Sequence, residues 1–238
     1  GGSSSGTGVS VAARLTVCGI GTDTGGSVRI PSAFCGVVGL KVTERKLPLD
    51  GIQPLSHTLD TPGPMCQNTI DAAIMYEVIA NKNLNQVNID FNSEKGVFHE
   101  MKRGIEGLVF GVLAEREREI VDSQILELYD SAVKRLQKLG GIIKPLNLPS
   151  SLDDMRFGVA TIISVEGYYY HGEMYENPKN PMDEDVRDRV LGARGLSAQT
   201  YIELLQECKR AEKQFLKSME RLDVLLTPTI IADAPLVC

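Results

Sequence analysis

The sequence predicts an α/β fold, chiefly because one region alternates between strand and helix patterns. Residues 108–113 form a short apolar run that is typical of a buried strand. From Asp122 to Leu139 apolar residues recur at helical spacing, and Gly140-Gly141 follows where a helix is expected to end. Ile142 to Leu146 then resumes a strand pattern. A strand, a crossover helix and a second strand are typical of a largely parallel sheet covered by helices.

Shorter elements are expected on both sides of this region. Asn68 is a favourable helix N-cap, and Asp71 adds a negative charge to the first turn of the following helix. Prolines and glycines recur over 47–64, which favours an irregular loop. An apolar stripe predicts a long helix over 197–222 whose inner face is buried. The remaining expected elements are a helix over 9–15, strands over 16–21, 36–40 and 224–226, and a single domain over 1–238.

Composition excludes several classes of protein. The 238 residues include 25 Lys and Arg against 31 Asp and Glu, and the net charge of −6 argues against nucleic-acid binding. No apolar run approaches the roughly 20 residues that span a bilayer. Five scattered cysteines show neither metal spacing nor a disulfide framework. Such cysteines are typical of a reducing compartment, so the sequence predicts a cytoplasmic protein.

One glycine-rich segment, over 21–31, has the composition of a catalytic loop. Ser27 follows two glycines, which allow the backbone to turn tightly and to approach a ligand closely. Backbone N–H groups in such a turn can point into one concavity and stabilise an oxyanion on a substrate carbonyl. Asp23 and Arg29 flank the loop and could brace it through charge-assisted hydrogen bonds.

A serine hydroxyl needs a base before it can act as a nucleophile. Three histidines, at 57, 99 and 171, lie in unrelated contexts, and no G-x-S-x-G elbow is present. The other segment rich in hydroxyl groups is the serine cluster at 3–5. By itself this G-G-S-S-S-G segment has the composition of a flexible linker.

Four ordered motifs closely resemble those of the amidase signature family, whose members hydrolyse amides. These motifs are G-G-S-S-S-G over 1–6, G-T-D-T-G-G-S-V-R-I-P over 21–31 with its continuation to Lys41, L-D-T-P-G-P over 59–64, and D-V-L-L-T-P-T over 223–229. They span nearly the whole chain, although the dense match covers only about its first third. The resemblance implies a mixed, twisted β-sheet covered by helices.

The resemblance also implies roles for individual residues. Ser27 matches the nucleophile, and Ser3 matches a relay serine that follows an unusual cis peptide bond. An oxyanion hole is implied at the backbone N–H groups of Thr24, Gly25, Gly26 and Ser27. Ser4, Asp23 and Arg29 match positions that support the loops.

A lysine completes the catalytic triad of that family, upstream of the G-G-S-S motif. The chain begins at this motif, so no residue here matches the lysine, and we expect a chain truncated at both ends. The implied reaction is hydrolysis of a small-molecule carboxamide to a carboxylate and ammonia or an amine. It needs neither a metal nor an organic cofactor, and the oligomeric state is open, a homo-oligomer included.

Three alternatives stay open at this point. The chain could be the amidase-type A subunit of a glutamyl-tRNA(Gln) amidotransferase, although residues 157–194 lack the Y-D-G-type stretch expected of one. It could hydrolyse a urea-derived compound such as allophanate or carboxybiuret. It could also be an inactive remnant that serves as a binding module, because it lacks its base.

Overall fold

The structure is a computed structural model that describes residues 2–81, 89–146, 148 and 150–234, with only the backbone at 153 and 155–157. The chain forms two compact units. Unit 1 comprises Gly1–Pro48, Thr61–Asn147 and Ser218–Cys238, and unit 2 comprises Leu49–Asp60 and Leu148–Lys217. The single domain expected over 1–238 stays a prediction.

Helices and strands alternate along much of the chain, and the predicted α/β class is confirmed. The helices are α1 (Ser5–Ala12), α2 (Arg29–Cys35), α3 (Thr69–Ala80), α4 (Val97–Lys102), α5 (Glu115–Arg118), α6 (Ser123–Lys138), α7 (Leu152–Glu176), α8 (Glu184–Leu191) and α9 (Ala198–Met219). The strands are β1 (Cys18–Asp23), β2 (Val38–Gly39), β3 (Thr61–Cys66), β4 (Val109–Leu113), β5 (Ile142–Leu146) and β6 (Val224–Leu225). No helix within the described ranges is long and apolar enough to cross a membrane.

The first sheet of unit 1 is antiparallel, with strand order β1-β3-β2. Its register places Cys18 opposite Cys66 and Asp23 opposite Thr61. Strand β3 corrects the prediction of an irregular loop that extended to residue 64. Proline lacks a backbone N–H, so it can lie in a strand where only its carbonyl group takes part in hydrogen bonding. Pro64 is such a residue, because its carbonyl accepts a hydrogen bond from the N–H of Leu40 at 2.9 Å.

The second sheet of unit 1 is parallel, with strand order β5-β4-β6. Helix α6 is the predicted crossover between β4 and β5. Its Tyr129 is buried, and the hydroxyl connects two strands. It accepts a hydrogen bond from the N–H of Leu113 at 3.1 Å and donates to the carbonyl of Leu226 at 3.1 Å. Leu113 is the last residue of β4 and Leu226 directly follows β6, so one side chain links the ends of two neighbouring strands.

The core of unit 2 is built around α7. Ile162 and Glu166 of this helix are 1% and 2% exposed. Arg187 of α8 is also buried, and its guanidinium donates to the carbonyls of Asn177 at 3.1 Å and Asn180 at 2.8 Å. Carbonyls beyond the end of a helix need such donors, so Arg187 fixes the connection between α7 and α8.

Helix α9 differs from its predicted burial. The apolar stripe predicted a buried inner face, yet none of its residues is buried within the described part of the chain. Leu204, Cys208 and Phe215 are half-buried instead. An amphipathic pattern shows which face avoids water most, but the degree of burial depends on what packs against that face.

Replacing Tyr129 with phenylalanine tests the hydroxyl bridge in the parallel sheet. The Tyr129→Phe variant leaves the N–H of Leu113 without its side-chain acceptor, and we expect the free energy of unfolding to fall by roughly 1–3 kcal/mol. Urea denaturation measures this loss. Tyr169, which is 78% exposed, supplies the control, because Tyr169→Phe removes a hydroxyl in contact with solvent. Equal stability of the two variants would contradict the bridge.

Candidate active site

The glycine-rich loop, residues 24–28, connects β1 to α2 and contains Ser27. Gly26 has a backbone φ of +125°, a conformation that side-chain-bearing residues rarely adopt. A Cβ on Gly26 would also lie 2.6 Å from Cδ1 of Ile30. The end of the Ile30 side chain could move aside, but the backbone conformation still favours glycine immediately before Ser27, whose side chain is half-buried.

The carboxylate of Asp23 organises this loop from beneath. It is fully buried at the end of β1 and accepts hydrogen bonds from the N–H groups of Gly26 at 2.8 Å, Val28 at 3.2 Å and Arg29 at 3.3 Å. The guanidinium of Arg29 adds two more, from Nε at 2.9 Å and from Nη2 at 2.8 Å. The loop is therefore wrapped around one anion.

The ionisation of Asp23 reflects this environment. Burial raises the pKa of the carboxyl, but the hydrogen bonds and charge of Arg29, with the hydrogen bonds from the backbone, outweigh burial, so the pKa is lowered from its ordinary value. The carboxylate is consequently charged at neutral pH. In the loop the carboxylate acts as a hydrogen-bond acceptor, because the hydrogen bonds that it receives stabilise its charged form.

The N-terminal segment packs against the same part of β1. The hydroxyl of Ser4 accepts a hydrogen bond from the N–H of Thr22 at 3.1 Å and donates to the carbonyl of Thr22 at 3.3 Å. A Cβ on Gly21 would lie 2.6 Å from Oγ of Ser4, so only glycine fits beside this serine. Ser4, which is buried, thus joins α1 to the strand that leads into the loop.

Gly2 brings the N-terminal segment to Ser27 itself. A Cβ on Gly2 would lie 2.7 Å from Cα of Ser27 and 3.2 Å from its carbonyl oxygen. Ser3 follows Gly2 directly and is exposed, whereas Ser27 is half-buried. Within the described ranges, neither of these two hydroxyl groups has a hydrogen-bond partner. The structure therefore brings the two predicted catalytic segments together, but the two hydroxyl groups are not hydrogen-bonded to each other.

Two expectations for these segments need qualification. The cis peptide bond expected before Ser3 is not found, because every peptide bond between described residues is trans. A trans bond is favoured by about 3 kcal/mol wherever no tertiary contact enforces the cis form, and the described contacts of Gly2 and Ser4 are made with trans bonds. Of the four predicted oxyanion-hole amides, that of Gly26 already donates to Asp23. The amides of Gly25 and Ser27 have no acceptor in the described part of the chain.

The sequence reasoning missed a second polar cluster, which lies in unit 2. Glu166 accepts hydrogen bonds from Oγ of Ser56, from the N–H and Oγ1 of Thr58 at 3.2 and 2.8 Å, and from the hydroxyl of Tyr201 at 2.5 Å. The Nε2 of His57 is 3.6 Å from its Oε1. Burial raises the pKa of Glu166, but these hydrogen bonds outweigh it and lower the pKa. The sequence signal for this cluster is a carboxylate inside an apolar helical stretch, because a buried charge needs hydrogen-bond partners.

A cavity of about 550 Å³ also lies in unit 2. Its walls come from α7 and α9, with apolar side chains such as Val159, Leu204 and Phe215 and the carboxylates of Glu207 and Glu212. None of the predicted site residues lines it. The candidate site is therefore defined by the loop geometry and not by this cavity.

Removing the charge of Asp23 tests its role in the loop. Because the folded pKa is lowered, the ionised carboxylate contributes stability above its ordinary pKa of 3.8, and this contribution is lost as the pH falls through the folded pKa. We expect Asp23→Asn to lower the free energy of unfolding at pH 7 by roughly 1–3 kcal/mol and to reduce its dependence on pH below about 4. Urea denaturation from pH 2 to 7 measures both effects, with Asp50→Asn at an exposed position as the control. An unchanged pH profile in Asp23→Asn would contradict this role.

A methyl group at Gly2 tests the close approach to Ser27. The nearest atom is Cα of Ser27, which belongs to the backbone and cannot rotate away, so we expect Gly2→Ala to destabilise the protein by roughly 1–3 kcal/mol. Gly6→Ala is the matched control in the same segment, because a Cβ there meets nothing within 4 Å. Alanine has a higher helix propensity than glycine, so Gly6→Ala should be neutral or slightly stabilising in thermal denaturation. A neutral Gly2→Ala would show that the segment does not pack against the loop.

Known proteins match this chain over a range that includes both segments of the candidate site. The model of the Amidase family matches residues 1–237. The A subunit of glutamyl-tRNA(Gln) amidotransferase from Lawsonia intracellularis is 31% identical over 253 residues, which cover 96% of this chain and 52% of that protein. For 2-amino-5-chloromuconic acid deaminase from Comamonas testosteroni, the identity is 30% and the two coverages are 99% and 49%.

The fold matches as well. The crystal structure of an amidase superposes with a TM-score of 0.84 and 27% identity, covering 99% of this chain and 50% of that one. The chain thus spans about half the length of the relatives that it matches. A family match along nearly the whole chain and the superposition agree with the loop geometry, and on this basis the chain belongs to the Amidase family.

Proposed function

We propose that this chain carries the nucleophile of an amide hydrolase, with Ser27 attacking a carboxamide carbonyl. The observation that carries the proposal is the packing of Gly2 against Ser27. This packing places the segment containing Ser3 next to the loop containing Ser27, and it supports a relay in which the two hydroxyl groups form a hydrogen bond when substrate is bound. Membership of the Amidase family supports the same chemistry.

The proposed acylation begins with proton transfer from Ser27. As its Oγ bonds to the carbonyl carbon, its proton passes to Oγ of Ser3, and Ser3 gives its own proton to a base. The family resemblance assigns the base to a lysine upstream of the G-G-S-S motif, which must be neutral to accept this proton. The same relay returns a proton to the leaving nitrogen, ammonia or an amine departs, and water hydrolyses the acyl-enzyme.

Backbone amides of the glycine-rich loop stabilise the tetrahedral oxyanion in this proposal. Gly25 and Ser27 are the preferred donors, because their N–H groups have no acceptor in the described structure. The N–H of Gly26 is instead used to fix the loop on Asp23. Thr24 stays a predicted donor. An oxyanion hole whose neighbours are already held by a buried carboxylate needs little reorganisation during the reaction.

The proposal also covers the substrate, the cofactors and the location of the protein. The substrate is a small-molecule amide, and the reaction proceeds without a metal or an organic cofactor. The four described cysteines are free, which supports the cytoplasm as the location.

A second candidate function is that of a glutamyl-tRNA(Gln) amidotransferase A subunit. The 31% identity to the Lawsonia intracellularis protein favours it. The deaminase of Comamonas testosteroni is almost equally similar at 30%, so identity does not separate the two functions. We rank the amidotransferase second because residues 157–194 lack the Y-D-G-type stretch.

Substitution of the two serines in the complete protein tests the proposal. We expect Ser27→Ala to lower kcat/KM for a simple aryl or aliphatic amide at least about 1,000-fold, and Ser3→Ala to lower it strongly with little change in stability. Ser10→Ala, which removes another hydroxyl of the N-terminal segment, should retain activity. A fluorophosphonate should label Ser27, as shown by peptide mass spectrometry. Full activity of Ser27→Ala would end the proposal.

Ammonia release from glutamine separates the two candidate functions. A simple amidase should act on small amides without a partner. An amidotransferase subunit should release ammonia from glutamine and depend on its partner subunits for efficient turnover. An inactive remnant would neither react with the fluorophosphonate nor turn over either substrate.

A further inference from the structure

Two cysteines lie directly opposite each other in the antiparallel sheet. Cys18 begins β1, Cys66 ends β3, and the register pairs them. Opposite residues of an antiparallel pair point to the same face, with Cα atoms about 4.5–5.5 Å apart. This range lies within the roughly 4.4–6.8 Å that disulfides span. Both thiols are free in the structure.

The two thiols differ in their access to solvent. Cys66 is fully buried, while Cys18 is half-exposed. The thiol of Cys18 donates a hydrogen bond to the thioether sulfur of Met75 in α3, at 3.4 Å. Burial first, then the proximity of Cys18 and Asp71, raises the pKa of Cys66 to about 11. An oxidant in solution therefore meets Cys18 first, and Cys66 stays protonated behind it.

We propose that Cys18 and Cys66 form a dithiol that reacts with hydrogen peroxide and closes to a cross-strand disulfide. Cys18 loses its proton to water and its sulfur attacks the peroxide, so that an S–O bond forms, the O–O bond breaks and hydroxide leaves. Cys66 then loses its proton, and its sulfur displaces hydroxide from the sulfenic acid of Cys18. The two sulfurs give up two electrons, and one peroxide becomes two water molecules.

The position of this cross-link determines its effect on unit 1. It ties the first residue of β1 to the last residue of β3, whereas Asp23 lies at the opposite end of β1. The hydrogen bonds that hold the glycine-rich loop are therefore left intact. A covalent link between residues 18 and 66 restricts the unfolded chain, and it should stabilise unit 1 without inactivating Ser27.

Peptide mapping after peroxide treatment tests the proposal directly. Trypsin places Cys18 in the peptide 15–29, Cys35 in 30–41 and Cys66 in 47–82. We expect a limited peroxide treatment of the folded protein to consume two of the five thiols and to join 15–29 to 47–82. The linked pair should weigh two hydrogen atoms less than its parts and separate on reduction. The melting temperature of the oxidised protein should rise by roughly 5–10 °C and return with dithiothreitol.

Variants assign the order of the two steps. In Cys66→Ala, Cys18 should stop at the sulfenic acid, which dimedone traps, and the rise in melting temperature should vanish. Cys35→Ser is the matched control and should still form the disulfide. Two results in the unsubstituted protein would overturn the proposal. One is the addition of oxygen to Cys18 or Met75 without any link between peptides 15–29 and 47–82. The other is disulfide formation that involves Cys35 equally well. The peptide map of the unsubstituted protein gives this answer even if Cys66→Ala fails to fold.

Discussion

The buried carboxylate of Asp23 is the interaction on which the rest of the candidate site depends. Five hydrogen bonds converge on it, three from backbone N–H groups and two from Arg29. An anion inside a protein is costly unless it is fully hydrogen-bonded, and here that requirement fixes the path of residues 24–29. The loop takes its shape because the backbone must satisfy the charge, and the position of Ser27 follows from that shape.

Close packing between glycines and serines provides the second constraint. Gly2 lies against Ser27, and Gly21 lies against Ser4, in each case at a distance that excludes a Cβ. These contacts hold two segments separated in sequence at one end of β1. The Gly-Ser composition of the N-terminal segment therefore has a packing function. The same composition in an unpacked linker would serve flexibility instead.

The sequence predicted the α/β class, the strand-helix-strand order of β4, α6 and β5, and the loop that contains Ser27, because these depend on local patterns and short motifs. It failed where distant residues decide the outcome. Strand β3 contains prolines that locally favour a loop, yet it is completed by its pairing with β1. The sequence does not predict the hydrogen bonds of Glu166, because its donors Ser56 and Tyr201 lie 110 and 35 residues away. No local pattern in α7 identifies those partners.

The discontinuity of unit 2 has a consequence for biosynthesis. Its segment 49–60 leaves the ribosome long before the segment 148–217 that completes the unit. Glu166 emerges 110 residues after Ser56, and Tyr201 emerges later still, so the hydroxyls of Ser56 and Thr58 gain these partners only then. Contacts of such sequence separation carry a high loop-closure cost and slow the rate of folding. Unit 2 therefore cannot reach its native state before residue 217 has been translated.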